Sequence, residues 1–307
     1  MSKASMRSLA KSILPELART LLRNCLYYAQ RTLRWVIILW QIRGATWSDQ
    51  WILIRSALAA PFFSFKNLLE WQNPILLADA QVVVRGVGKF FLRARCDELY
   101  HVLPWRERFV VAAHKKSLGA GDTFVDAGAN IGFYTILASR IVGETGNVVA
   151  VEMMPETAST LRRNLCLNNI KNVTVIERAL SAEAEQEVIA RVSEGHYGKA
   201  SIAQNLHVGN FLEETVKSTT LSKVLDGITH IALMKMDLEG VEYEALQGAG
   251  YALSRITNIV FEQLEPEDTE GQAARHLKNI GFSILQIDGR NKIAVRNNEK
   301  NLNGENL

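Results

Sequence analysis

Three groups of residues in this chain have types and spacings that could do chemistry. The first is the stretch Thr123 to Thr135, TFVDAGANIGFYT. Apolar Phe124 and Val125 run into an acid, Asp126; the small residues Gly128, Ala129 and Gly132 follow, and an apolar helical pattern begins. Strand, tight turn and helix start in that order bring bare backbone against a nucleotide-like ligand. The dinucleotide fingerprint is not met, because Asn130 stands where a glycine is needed and Asp126 would repel a pyrophosphate. A ligand with an ammonium group and no phosphates fits, and S-adenosylmethionine has an amino-acid end and a sulfonium. The second group is Glu152, which ends the apolar run Val148 to Val151. An acid about 20 residues after the glycine turn is placed to accept hydrogen bonds from ribose hydroxyls.

The third group is Lys235 to Glu242, KMDLEGVE. Asp237 falls at the end of a strand containing Met234 and Met236, and Glu239 and Glu242 open the next helix. Carboxylates there also suit the positive end of the helix dipole. Three acids within six residues repel, which favours a raised pKa in one of them. A carboxylate at the point of methyl transfer can take a hydroxyl proton and orient the acceptor oxygen. The expected catalytic order is Asp237, then Glu239 and Glu242. Hard cations favour oxygen clusters, but no spaced partner is evident in the sequence, so no metal is expected.

These groups need a scaffold that brings strand ends together. Strands are predicted at 124–126, 148–152, 173–177, 231–236, 258–262, 282–286 and 292–295, and helices at 133–142, 156–167, 241–248 and 271–279. Alternating strand and helix predicts a mostly parallel seven-stranded sheet with right-handed crossovers and helices on both faces. Ligands in such sheets sit beyond the carboxyl ends of the strands, where Asp126, Glu152, the stretch Glu177 to Ser181, and Asp237 all fall. A β-hairpin is predicted over 80–95, around Gly86-Val87-Gly88, and a helix over 104–118 with Trp105, Phe109, Val110 and Ala113 on one side. His114-Lys115-Lys116 reads as a solvated helix end. Residues 195–199, GHYGK, read as a loop in which His196 is an exposed side chain or a substrate contact.

VDAGANIGFYT, VVAVEMMPE, NLCLNN (Asn164 to Asn169), ALS (Ala179 to Ser181) and LMKMDLEGVEYEALQGA occur in this order between about residues 120 and 265. In order and spacing they resemble the FkbM-type methyltransferases, over a little under half the chain. The pair GANIG and KMDLEGVE is the specific part. The chain departs from the family's pattern at Met153-Met154, which stand between the acid and Pro155. The resemblance implies a Rossmann-like methyltransferase fold, S-adenosylmethionine as cofactor and transfer to a hydroxyl oxygen. On it, Asp126 orients the methionine ammonium directly or through water, and Gly128, Ala129, Asn130 and Gly132 give close backbone approach. Glu152 holds the ribose, and Ser181 lies near the adenine.

The 307 residues suit one catalytic domain with an extension: 1–75 as a basic helical extension, 76–297 as the methyltransferase domain with its core at 119–297, and 298–307 as a polar tail. With 48% hydrophobic residues the chain can bury a large core. The net charge of +3 is unevenly spread: residues 1–75 hold ten Lys or Arg against three Asp or Glu, and the rest is acidic. Five of the six tryptophans, Trp35, Trp40, Trp47, Trp51 and Trp71, lie there too. On a helical wheel of about 100° per residue, Arg19, Arg23, Arg31 and Arg34 share one arc, and Leu22, Leu26, Ala29, Leu33, Val36 and Trp40 lie opposite. That pattern describes an interfacial membrane helix, or equally a lid or dimerisation element packed on protein. No apolar run reaches the ~18–20 residues of a span. Cys25, Cys96 and Cys166 are too scattered for a zinc site or disulfides and read as buried free thiols.

The sequence therefore points to O-methylation of a hydroxyl, first of a sugar in a glycan or glycolipid, then of a polyketide or peptide. The same fold used as a non-catalytic partner-binding module is the reading from another class. The expected location is cytoplasmic, peripheral at the inner face of the membrane through residues 1–75, with self-association among the expectations. Nucleic acid is not expected as a partner, because the basic residues are not gathered around the acidic rim.

Overall fold

The computed structural model describes residues 16–66, 73–193, 200–203, 211–263 and 271–297. Trp71, the loop containing His196 and the tail at 298–307 lie outside the described residues. Helix α1 (Glu16–Gln41), strand β1 (Ile42–Gly44) and helix α2 (Trp47–Lys66) lead into the hairpin β2 (Ala80–Val84) and β3 (Gly88–Leu92). Two short helices, α3 (Glu98–His101) and α4 (Arg108–Ser117), precede the core. The core opens with β4 (Thr123–Ala127), α5 (Phe133–Val142), β5 (Asn147–Val151), α6 (Pro155–Leu167) and β6 (Val173–Ile176). Then come β7 (Ala179–Leu180), β8 (Glu187–Ser193), β9 (Phe211–Thr219) and α7 (Leu221–Val224). The chain returns through β10 (Ile231–Met236), α8 (Glu242–Gln247), a 3₁₀ turn (Gly250–Arg255), β11 (Ile256–Glu262), α9 (Gln272–Asn279), β12 (Phe282–Gln286) and β13 (Asn291–Arg296).

The seven-stranded sheet has the order β12-β13-β11-β10-β4-β5-β6. The pairs β10–β11, β10–β4, β4–β5 and β5–β6 are parallel, and β13 runs antiparallel to both of its neighbours. This is the doubly wound, Rossmann-like sheet that the alternating pattern predicts, with its switch point between β4 and β10. Period-2 alternation sorts the strands onto two cores. Phe124, Val148, Ala150, Leu233 and Val260 face α5 and α6. Val125, Ala127, Val149, Val151, Met234, Met236, Ile259 and Phe261 face α8 and α9. Asp126 and Lys235 are register partners on adjacent strands, polar exceptions in the first of these rows.

The N-terminal segment is more than helical. Strand β1 pairs antiparallel with β2 and makes the hairpin a three-stranded sheet. Trp35, Ile38, Ile42 and Leu53 join the same apolar cluster as Val82, Phe90 and Phe124. The family motif NLCLNN pins this sheet to α6. The Asn164 side chain, fully buried, accepts from the Phe91 N–H (2.7 Å) and donates to the Ile131 carbonyl (2.9 Å). One turn on, Asn168 accepts from the Lys89 N–H (2.9 Å) and donates to the Lys89 carbonyl (2.6 Å).

Several expectations are corrected. Helix 104–118 is shorter, Arg108–Ser117, and its Phe109 is exposed. His114 is not a solvated helix end. It lies fully buried, one helical turn from buried Val110, and is stacked on Tyr134 with ring centroids 4.7 Å apart. Burial pushes its pKa down to about 3, so the imidazole is neutral. Of the three free cysteines only Cys96 is buried; Cys25 and Cys166 are exposed. Between β6 and β10 the chain forms a further sheet, β7-β9-β8, whose long strands β8 and β9 pair antiparallel.

Candidate active site

The turn after β4 is built from backbone contacts. The N–H groups of Gly128 and Ala129 both donate to the Val151 carbonyl, at 3.0 and 2.9 Å, and the Asp237 N–H donates to the Ala127 carbonyl at 3.0 Å. Gly128 has φ +83°, and a Cβ there would lie 2.0 Å from the Asp237 carbonyl oxygen. A Cβ at Gly132 (φ +94°) would lie 2.4 Å from Leu161. These glycines let the turn close against β10 and α6. Asn130, at φ +49°, takes a left-handed conformation that Asn tolerates better than most residues.

Glu152 follows β5 and is buried. Its carboxylate accepts from the Asn130 N–H (2.8 Å) and the Met154 N–H (3.0 Å). Met153-Met154 thus complete the turn that Glu-Pro would make, with Pro155 opening α6. Burial raises the Glu152 carboxyl to about 7, against the pull of these backbone donors.

Lys235 and Asp237 leave β10 together. The buried Lys235 ammonium is 2.9 Å from Asp237 Oδ2. Burial alone would raise the Asp237 carboxyl, but the Lys235 ammonium, with Arg106 and His101 further out, holds it below the usual carboxylate range. Glu262 ends β11 beside it, pushed up to about 7 by burial and by the Asp237 charge. One carboxylate oxygen from each of Asp237, Glu239 and Glu262 lies within 4.8 Å of the others. The spaced partner that the sequence lacked is supplied by the fold.

These elements surround a cleft at the carboxyl ends of the central strands. Of the predicted residues, Gly128, Asn130, Glu152, Asp237 and Glu239 form its wall. Asp126, Ala129, Gly132, Glu242 and Ser181 do not. Asp126 sits behind the wall with Oδ2 accepting from Thr135 (2.6 Å). Burial raises it to about 6, and its Oδ1 is buried without a hydrogen-bond partner. Glu242 accepts from the Leu238 N–H (2.9 Å), bracing the loop after β10. Ser181 donates its N–H to the Thr219 carbonyl (3.0 Å); Arg178 and Leu180, just before it, reach the cleft instead.

Sequence reasoning named none of His101, Met153 and Glu262 as site residues; Arg178 and Leu180 fall in the stretch Glu177 to Ser181 that it placed at the rim, though it singled out Ser181 instead. The His101 ring lines the cleft, with Nε2 3.2 Å from Asp97 and Nδ1 3.3 Å from Arg106. No local pattern marks His101, because it comes from a four-residue helix outside every motif. Arg178 and Leu180 stand within or beside the ALS motif and were within reach of that signal.

A carboxylate held on the wall by two backbone donors, a glycine turn without phosphate-binding character and a buried acceptor left unpaired at Asp126 suit a ligand with ribose hydroxyls and an ammonium. The comparisons with known proteins agree. A family model described as the methyltransferase FkbM domain matches residues 126–287. Methyltransferase 1 of Beauveria bassiana is 26% identical over 199 residues, 58% of this chain and 80% of that protein. Methyltransferase sdnD of Sordaria araneosa is 26% identical over 202 residues, 55% of this chain and 77% of that protein. Among solved structures, a SAM-dependent O-methyltransferase from Thermotoga maritima matches over 70% of this chain and 77% of its own, at 13% identity and a TM-score of 0.41. On the family match, which spans more than half of its length, this chain belongs to the FkbM methyltransferase family and is an S-adenosylmethionine-dependent methyltransferase.

Proposed function

We propose that the enzyme methylates a hydroxyl oxygen of a sugar, in a glycan or glycolipid, and works at the cytoplasmic face of a membrane through residues 1–75. The observation that carries O-methylation is the acid cluster at the rim, one carboxylate oxygen each of Asp237, Glu239 and Glu262 within 4.8 Å of the others, with burial and the Asp237 charge raising the Glu262 carboxyl. Asp237 and Glu262 titrate as a unit and separate an ionised acceptor from a group poised near neutrality. When bound, S-adenosylmethionine supplies an electrophilic methyl group. Glu152 is the residue to hold its ribose, and Asp126, behind the wall, the one to act on its ammonium end through water. Asp237, ionised and on the wall, accepts a hydrogen bond from the acceptor hydroxyl and orients its oxygen. The hydroxyl proton passes to the Asp237–Glu262 pair. Glu239 lies within the same cluster, while Glu242 acts by bracing the loop.

A polyol suits the wall around this point, because Asp237, Glu239, His101 and Arg178 offer several donors and acceptors to neighbouring hydroxyls. The test has two stages. Calorimetric titration with S-adenosylhomocysteine should show micromolar binding that is lost in the Asp126→Ala, Glu152→Ala double variant. Radiolabelled methyl transfer to a panel of sugars, glycolipids, polyketides and peptides should then label sugar hydroxyls, and Asp237→Asn should lower kcat with cofactor affinity intact. Label confined to polyketides or peptides would refute the sugar assignment.

A further inference from the structure

Helices α1 and α2 bury one side and leave another bare. Trp35 and Ile38 of α1 and Leu53 of α2 are buried in the core that also takes Ile42. On α1, Leu22, Leu26, Leu33, Val36 and Trp40 are each more than half exposed; at about 100° per residue they fall on one side of the helix. On α2, Trp47 (88% exposed), Trp51, Leu58 and Phe62 repeat the pattern. The stripe that the sequence pattern would pack against protein is therefore the outward one. Four of these nine side chains are aromatic, at roughly 150–250 Å² each, so the two stripes exceed the few hundred Å² of apolar patch usual on a soluble monomer.

Charge selects the occupant. Between residues 17 and 62 the chain holds six arginines, Arg19, Arg23, Arg31, Arg34, Arg43 and Arg55, and one acid, Asp49. That acid is spent at the start of α2, where it accepts from the Thr46 N–H (3.0 Å) and the Gln81 N–H (2.9 Å). A second copy of the chain set on the same face would place six arginines against six, with Glu16 at the start of α1 the one acid of these helices left to offset them. An anionic lipid surface supplies the missing negative charge, and Trp and Leu beside Arg is the composition of a helix lying in the headgroup region. Among the described residues no helix is long and apolar enough to cross a membrane.

We propose that the outward stripes of α1 and α2, from Leu22 to Phe62, are the face by which this enzyme rests on an anionic bilayer; this builds on the membrane-surface reading above. The helices lie in the interface, and β1, running straight on from α1, ties them to the hairpin that Asn164 and Asn168 fix to the catalytic body.

The test uses the full chain and vesicles of phosphatidylcholine with or without phosphatidylglycerol, read by co-sedimentation. The wild type should sediment with the anionic vesicles. Trp40→Ser, Trp47→Ser, Trp51→Ser together should weaken binding by more than about tenfold, since interfacial affinity scales with apolar area. Arg23→Gln, Arg43→Gln, Arg55→Gln together should remove on the order of 100-fold of the anionic preference, at roughly fivefold per arginine. S-adenosylhomocysteine binding should be unchanged in both variants, because none of these residues lines the cleft. A wild type that binds S-adenosylhomocysteine but stays in the supernatant overturns the face. So does a wild-type dimer made monomeric by the tryptophan substitutions, which would assign the stripes to a second copy. Sedimentation without methyl transfer to any lipid-linked sugar would uphold the face and sink the acceptor reading alone.

Discussion

Replacing Lys235 by methionine tests how the charges around the cleft depend on one another. The ammonium is 4% exposed, lies 2.9 Å from Asp237 Oδ2, and sits beside Asp126 in the β4–β10 register. Removing one partner of a buried pair leaves the other charge uncompensated and costs about 3–5 kcal/mol. The Asp237 side chain keeps 27% of its exposure, which places the expected loss at the lower end, about 3 kcal/mol at pH 7. In the wild type Asp237 is held below its unfolded pKa. Its contribution is present above about pH 3.9 and is lost as pH falls through the lower folded value. In the variant burial is still opposed by Arg106 and His101 but no longer by Lys235, so its folded pKa rises and the variant loses less stability than the wild type as pH falls. Asp126, also relieved of its cation, moves the same way. The difference between wild type and variant in urea unfolding should therefore be largest at pH 7 and clearly smaller at pH 5, and the acid limb of the rate profile should move to higher pH. A difference below about 1 kcal/mol at pH 7, or one that grows on acidification, would show that Lys235 does not set these charges.

Gly128→Ala places a methyl group 2.0 Å from the Asp237 carbonyl at φ +83°; beyond the roughly 1–2 kcal/mol of left-handed strain, the β4 turn must move, so S-adenosylhomocysteine affinity should fall at least about tenfold by calorimetry. Asn164→Ala strips partners from the Phe91 N–H and the Ile131 carbonyl, at about 1–3 kcal/mol for each buried group left unpaired. Urea unfolding should show a loss of about 2–6 kcal/mol, whereas a loss below about 1 kcal/mol would mean the hairpin is not anchored there. Chelation by EDTA should leave the rate unchanged, because the Lys235 ammonium already offsets the Asp237 charge. Inactivation by EDTA that magnesium restores would reassign the three acids to a cation.

Strands β4, β5, β10 and β11 were legible because each is a short, largely apolar run, the composition that buried parallel strands require. What stayed hidden has physical causes. Strand β1 is three residues long, too short to show a period. Strands β8 and β9 carry charged residues along a solvated face, Glu187, Arg191, Glu213 and Lys217, and a further acid, Glu214, on the inner one, and so dilute the alternation. His114 was read from its basic neighbours Lys115 and Lys116, although its spacing from Val110, one helical turn, already placed it on the inner face. The outward stripe of α1 obeyed the helical period but not the usual rule for which side is buried. Periodicity defines a face, and only the contacts of Trp35 and Ile38 show which face the protein keeps for itself.

The acids of the site show how far a local pattern can reach. In a parallel sheet the carboxyl ends of all the central strands open on one rim, so an acid at any of those ends is brought to the same place. Asp126 in β4, Glu152 after β5 and Asp237 after β10 each stand next to small or helix-opening residues that make a recognisable motif. Glu262 obeys the same geometry at the end of β11, yet its neighbours in sequence carry no such signal. Its partner Asp237 is 25 positions away and is joined to it only by the register that sets Met236 against Phe261. Glu262, whose carboxyl is raised to about 7 beside Asp237 as that of Glu242 is, is thus the acid of the cluster that only the folded sheet could nominate. Glu262→Gln is the substitution that separates the two carboxyls. If the pair receives the hydroxyl proton, the rate of Glu262→Gln should lose its dependence on a group titrating near 7, with S-adenosylhomocysteine affinity retained. A profile identical to the wild type would leave Asp237 to act alone.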